Sequence, residues 1–335
     1  MKRLYLAFLT LNIGISYSYS QEVGEYGFLE LPVSAHAAAL GGTAVSVVEP
    51  EASLAEQNPA LLCPEMSGQL SLSYMNYVSD INIGYASYTG TFNGIGAWQG
   101  SVRYVGYGDF DGYDEFGGST GTFTANDIAI QGGVGYPINK FWRAGVYARA
   151  VISKYDIQSA FALGVDAGLN YYDEAAGRSI SVVVSNLGGQ LKTFDDRRCK
   201  MPTQLSVGIS KEVEHLPFCF TLTAIRLLDW DDDYYNGQGN RSSYDTGEQI
   251  LRHLLFGAEW TPTNAFYVAT GYSYRRQREF SGQGGFLRGL SLGAGFNAGK
   301  WQAHVSYASY NAVDGSLMFT LGYNFNNSDI SKTKK

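Results

Sequence analysis

The sequence predicts an all-β chain: a transmembrane antiparallel β-barrel of about fourteen strands with an N-terminal segment inside the lumen. Three observations carry that prediction. Segments of about ten residues alternate apolar with small or polar side chains along most of the chain. The composition combines 41 glycines and 25 tyrosines with only 16% charged residues, where soluble domains carry about 25%. Beyond the N-terminus, no apolar run reaches the roughly 18 residues that a helical span needs.

The chain opens with Lys2 and Arg3, then an apolar stretch from Leu4 to Ile15. Ser18 and Ser20 put small side chains ahead of Gln21, the layout of a cleaved signal peptide over 1–20. A short transmembrane helix is the competing reading, but the stretch is too short to span a bilayer. No Cys stands at the cleavage point, so no lipid anchor is indicated. Export and the barrel pattern together predict the outer membrane of a Gram-negative cell. The net charge of −7 argues against nucleic-acid binding, which needs a basic face. Cys63, Cys199 and Cys219 lack CxxC spacing, and an odd number allows at most one internal bridge.

Residues 21–67 do not alternate and are expected to form a plug. Their middle, Ala35 to Gly42, is rich in alanine and glycine, which pack closely in a narrow lumen. Asn58-Pro59-Ala60 reads as a turn, because proline fixes its own φ and extends the residue before it.

Strands follow over 68–325. Their expected spans are 68–77, 81–92, 95–107, 126–137, 140–155, 159–173, 178–187, 202–213, 217–227, 251–261, 264–275, 288–297, 300–310 and 315–325. In the last, Leu317, Phe319, Leu321, Tyr323 and Phe325 share one face, which would meet lipid. Long connections (108–125, 188–201, 228–250, 276–287) all fall at one end. A barrel with both termini in the periplasm needs that segregation; a soluble β-sandwich does not. Residues 326–335 form a polar tail, expected to be disordered.

Arg103, Asp127, Arg143, Arg149, Asp166 and Glu259 fall in lumen-facing register. Both signs are present, so a lining of paired charges packed against the plug is favoured over a substrate track. The long loops hold aromatics suited to an interface: Phe110, Tyr113 and Phe116, then Trp230, Tyr234 and Tyr235. Asp109, Asp111 and Asp114, and also Asp231, Asp232 and Asp233, read as solvated loop residues; the calcium-loop pattern is absent. His36, His215, His253 and His304 are scattered without metal-ligand spacing. There is no Gly-x-Ser-x-Gly elbow or Walker loop. No enzyme, cofactor or metal site is expected.

The run Ala39-Leu40-Gly41-Gly42-Thr43-Ala44-Val45, with Glu51 and Asn58-Pro59-Ala60, resembles the N-terminal hatch of the FadL-like outer-membrane barrels. The segment from Leu72 to Tyr85, with its Asn-Tyr, Asp-Ile-Asn and Gly-Tyr spacing, resembles the PorQ-type components of the type IX secretion system. That resemblance implies a non-enzymatic membrane anchor, set in outer-membrane lipid, whose loops hold a surface-exposed PorZ-like partner of the cargo-attachment complex. The alternative it implies is a transporter of hydrophobic small molecules through a lateral opening in the wall. A strand kink, for which Gly94, Gly96 and Gly100 are candidates, and an apolar pocket beside the hatch would favour that alternative.

Overall fold

Alternation of side-chain faces, once every backbone group must find a partner in lipid, leaves a closed sheet as the solution. A computed structural model shows that closure. It describes residues 26–326 except 93–94, 114–115, 117, 195–197, 231–233, 236–240, 243, 280–285 and 311–314. The expected signal peptide over 1–20, the expected turn at Asn93-Gly94, Asp114, Asp231, Asp232, Asp233 and most of the 326–335 segment lie outside the described residues.

The strands are β1 (Gln69–Val78), β2 (Ile81–Phe92), β3 (Gly96–Tyr113), β4 (Ser119–Pro137), β5 (Trp142–Tyr155), β6 (Gln158–Asp173), β7 (Arg178–Lys192), β8 (Gln204–Glu212) and β9 (Phe218–Ala224). A two-stranded hairpin of β10 (Tyr234–Tyr235) and β11 (Arg241–Ser242) follows. The chain returns to the wall with β12 (Leu254–Thr263), β13 (Phe266–Ser273), β14 (Leu290–Ala298), β15 (Trp301–Ala308) and β16 (Ser316–Asn324). Each wall strand pairs with its neighbours in sequence, β9 joins β12, and β16 closes on β1, giving fourteen antiparallel strands with no edge. Closure removes the exposed ladder groups that would otherwise be unsatisfied in hydrocarbon. No helix among the described residues is long and apolar enough to cross a membrane.

The faces fall as the alternation requires. Leu317, Phe319 and Leu321 are exposed, while Ser316, Met318 and Thr320 between them are buried. Exposed Trp98, Phe141, Trp142, Phe218, Trp260 and Trp301 line the rim at which the barrel strands begin and end. Aromatic rows of this kind mark the interface level of transmembrane barrels.

Two expectations change. Much of 108–125 is strand rather than loop: residues 109–113 pair with 119–124. Neither β2 nor β5 reaches that far, so the ladder continues past the wall as a hairpin satisfied within itself. The third strand also carries no kink at Gly96 or Gly100, since its register with β2 runs unbroken from Gly96 to Gly106. A mid-wall irregularity lies between β6 and β7, where the register slips between Val165 and Ala167; the slips of β1–β2 and β12–β13 lie at the strand ends. Asn186 there has φ 56°.

The N-terminal segment lies inside. Its one α-helix, α1 (Ala35–Ala39), is capped by the Ser34 hydroxyl, which accepts from the amides of His36 and Ala37. α1 packs on β13, β14, β15 and β16, and the 3-10 turn Pro59–Leu61 packs on β4, β5 and β6. The segment therefore bridges two separate stretches of the wall.

Candidate functional site

A backbone segment buried in a polar lumen must satisfy its amides and carbonyls from the wall. Gln69 Oε1 accepts from the Ala52 amide at 2.6 Å, and Gln99 Nε2 donates to the Ala52 carbonyl at 2.7 Å. Asn58 Nδ2 donates to the Val45 carbonyl at 2.7 Å, and Asn58 Oδ1 accepts from the Ala60 amide at 3.0 Å. Asn58 thus caps the turn that Pro59 starts, and ties it to the chain ahead. Pro59 and Ala60 press on a row of glycines in register on three strands, Gly135, Gly145 and Gly168. A β-carbon at Gly135 would stand 2.6 Å from the Pro59 carbonyl oxygen.

The lumen-facing charges form two clusters with residues of this segment. In the first, Arg103 Nη2 donates to Glu56 Oε1 at 2.7 Å, and Arg149 Nη2 to Asp166 Oδ2 at 2.8 Å and Glu56 Oε1 at 3.4 Å. Arg149 Nε donates to Gln131 at 2.7 Å, and its Nη1 to Asn186. Asp166 Oδ1 accepts from the Asn186 amide at 2.6 Å, which holds the β6–β7 irregularity in place. Buried ions persist only when each is paired and hydrogen-bonded, and these are.

In the second cluster, His36 of α1 lies between two carboxylates. Its Nδ1 is 2.9 Å from Glu51 Oε2 and its Nε2 is 2.6 Å from Glu259 Oε2. Burial pushes His36 down, but Glu259 and Glu51 outweigh it and hold the imidazole well above its usual range. Tyr267 stacks on the His36 ring at 4.2 Å and bonds His304 Nδ1 at 2.9 Å.

The other sequence-derived residues are placed as follows. Asp127 is buried and accepts from the hydroxyls of Tyr107 and Tyr155. Arg143 faces the lumen at the rim, half-buried, over the Tyr172 ring at 5.2 Å. Phe110 stacks on Phe123 along the β3–β4 hairpin, Tyr113 is exposed, and Phe116 at the tip is 95% exposed. Asp109 and Asp111 ride on the same hairpin. Trp230 covers His253 and donates to the Leu227 carbonyl at 2.8 Å. Tyr234 and Tyr235 form β10; their side chains lie outside the described set. Cys63, Cys199 and Cys219 form no disulfide among the described residues.

Sequence spacing missed His36, Glu51 and His304 as a group. Their separations are no motif; only the fold makes them neighbours. The usable signal was the alternation of β15, which turns His304 inward.

Two positions beyond Arg103 on β3 and Arg149 on β5 the lumen turns apolar. Met75, Ile83, Val105, Ala129, Val151, Ala162 and Met318 face inward there. Tyr26, Phe28 and Leu29 fill the space they enclose. Arg103 Nη1 fastens this N-terminal turn by donating to the carbonyls of Phe28 at 2.8 Å and Leu31 at 3.2 Å. A separate depression of about 520 Å³, lined by Phe220, Leu222, Phe256 and Tyr272, lies on the outer face of the wall rather than in the lumen.

No protein-family profile matches the chain, and no curated protein does. Solved structures do. The Pseudomonas putida toluene transporter TodX aligns with a TM-score of 0.54 at 12% identity, over 88% of this chain and 98% of that one. A deltaS2S3 mutant of TodX, a monoaromatic hydrocarbon channel, aligns at 0.53 and 11% identity, over 88% and 99%. A Pseudomonas aeruginosa FadL homologue aligns at 0.47 and 12%, over 88% and 98%. At such identities the likeness to the two TodX structures shows the fold alone: a closed antiparallel β-barrel of fourteen strands.

Proposed function

We propose that this chain is an outer-membrane barrel that binds hydrophobic small molecules in the lumen and passes them through its wall. The carrying observation is the partial apolar ring that Met318, Met75, Ile83, Val105, Ala129, Val151 and Ala162 form on β16 and β1 to β6, filled by the chain's own Tyr26, Phe28 and Leu29. An apolar ligand would take the place of the N-terminal turn, and the turn is held by an arginine that also pairs with Glu56. The β6–β7 irregularity lies beside this ring and is the candidate exit. The fold shared with a toluene transporter supports the reading.

The test is uptake of a labelled fatty acid and of toluene by cells of a Gram-negative host lacking its own FadL-like barrel. Expression should raise uptake several-fold, and Val151→Glu, placed in the ring, should abolish the gain. Phe28→Ala, which empties part of the ring, should tighten binding of an apolar fluorescent probe to the purified barrel. Unchanged uptake in a folded Val151→Glu protein would sink the proposal.

The second reading is a membrane anchor for a surface-exposed type IX secretion component of PorZ-like type. It is favoured by the β3–β4 hairpin, which stands beyond its neighbours with Tyr113 and Phe116 exposed. Purification from the native membrane with and without residues 109–124 separates the two. A large surface protein lost with the hairpin supports anchoring; the barrel alone with apolar molecules bound supports transport.

A further inference from the structure

Glu51 offers its two oxygens to different groups. Oε1 accepts from Ser34 Oγ at 2.7 Å and from Ser53 Oγ. Oε2 faces His36 Nδ1 at 2.9 Å and His304 Nε2 at 3.8 Å. His304 Nε2 is buried and has no hydrogen-bond partner. One atom each from His36, Glu51 and His304 lies within 4.8 Å of the other two.

We propose that His36 Nδ1, Glu51 Oε2 and His304 Nε2 bind a divalent transition-metal ion such as Zn²⁺, with a fourth position open. Ligand atoms about 2.0–2.1 Å from a tetrahedral ion stand roughly 3.3 Å apart, so changes in separation of a few tenths of an ångström to about 1.5 Å close the site. Two imidazoles and one carboxylate suit zinc or ferrous iron; calcium and magnesium take oxygen ligands.

The outer partners are already in place, and they are the stronger argument. Metal-bound histidines as a rule donate their second ring N–H to a carboxylate or other oxygen. His36 Nε2 sits 2.6 Å from Glu259 Oε2, whose other oxygen accepts from Thr261 at 2.7 Å. His304 Nδ1 sits 2.9 Å from the Tyr267 hydroxyl. Ser34 and Ser53 hold the free oxygen of Glu51. Every distal atom of the three ligands is therefore oriented, and the proximal atoms converge. Charge agrees once the ion displaces the Nδ1 proton of His36: two carboxylates, Glu51 and Glu259, then face a dication and two neutral imidazoles. No Lys or Arg pairs with Glu51 among the described residues.

The ligands come from α1, from the segment after it and from β15. The ion would pin the N-terminal segment to the wall. This holds whether the barrel transports or anchors.

The full chain is refolded in detergent after chelation, with and without Zn²⁺, because the site is buried. Metal content after desalting, visible absorption of the Co²⁺ form, and heat-dependent gel migration are then read. About one ion per chain is expected, with an absorption spectrum of imidazole-bound Co²⁺ and a higher melting temperature with metal. His304→Gln, which leaves His36 between its carboxylates, should lose retained metal while keeping the folded migration. Tyr267→Phe, which removes only an outer partner, should weaken binding by roughly 10- to 100-fold. Wild-type protein that retains no Zn²⁺, or retention unchanged in a folded His304→Gln variant, overturns the proposal.

Discussion

Asn58 lies in contact with Gly168, so close that the strand has no room there for a β-carbon. Gly145, its cross-strand partner, meets Pro59 in the same way. Valine at either position forces the turn away from the wall, and overpacking of this kind costs about 1–3 kcal/mol. Gly168→Val and Gly145→Val should melt earlier on heat-dependent gel migration and expose residues 26–67 to protease. Gly100→Ala, with nothing near its β-carbon, should behave as wild type. Equal behaviour of all three would mean the turn does not dock there.

Arg149 reaches Asp166, Glu56, Asn186 and Gln131 from one guanidinium. Removing one partner of a buried ion pair costs about 3–5 kcal/mol, since the other charge stays buried. Arg149→Met should therefore be strongly destabilised, and adding Asp166→Leu should recover part of the loss. An Asp166→Leu change that makes Arg149→Met worse by its full single-variant cost would argue against their coupling.

Arg143 differs from Arg149 although both face inward. It is half-buried at the rim and held by a ring contact. Arg143→Met should cost less than about 1 kcal/mol, the range of exposed charge contacts. A melting temperature as low as that of Arg149→Met would show that the rim charge is structural after all.

Phe116 is 95% exposed at the hairpin tip. Phe116→Ser should leave stability within about 0.5 kcal/mol of wild type, as for other surface changes. If the anchor reading holds, the same variant should co-purify less of a surface partner. A large drop in melting temperature would instead assign the hairpin tip a packing role.

The strands were legible because their signal is local. Leu317, Phe319 and Leu321 point one way and Met318 and Thr320 the other, whatever the rest of the chain does. The length of β3 and β4 was not, because polar, glycine-rich 108–125 reads as loop until its two halves are seen to pair. The inward register of Arg103 and Arg149 was likewise readable from alternation, but their common partner Glu56 was not. Residues 26–67 have no period of two or of 3.6 to assign faces, so nothing in the order of letters says which of their acids meets which wall cation.

What the sequence by itself determined is the barrel: strand number, the lipid and lumen faces, and a non-alternating segment in front of it. Each follows from a repeat within a few residues and from the demand that backbone groups in lipid be paired. What only the tertiary structure decided is the content of the lumen. His36 meets Glu259 across 223 positions of chain, and His304 turns its unpartnered nitrogen toward Glu51. Such meetings depend on how the segment threads a closed wall, where a shift of a few ångströms trades one ion pair for another. Local pattern carries no information at that range.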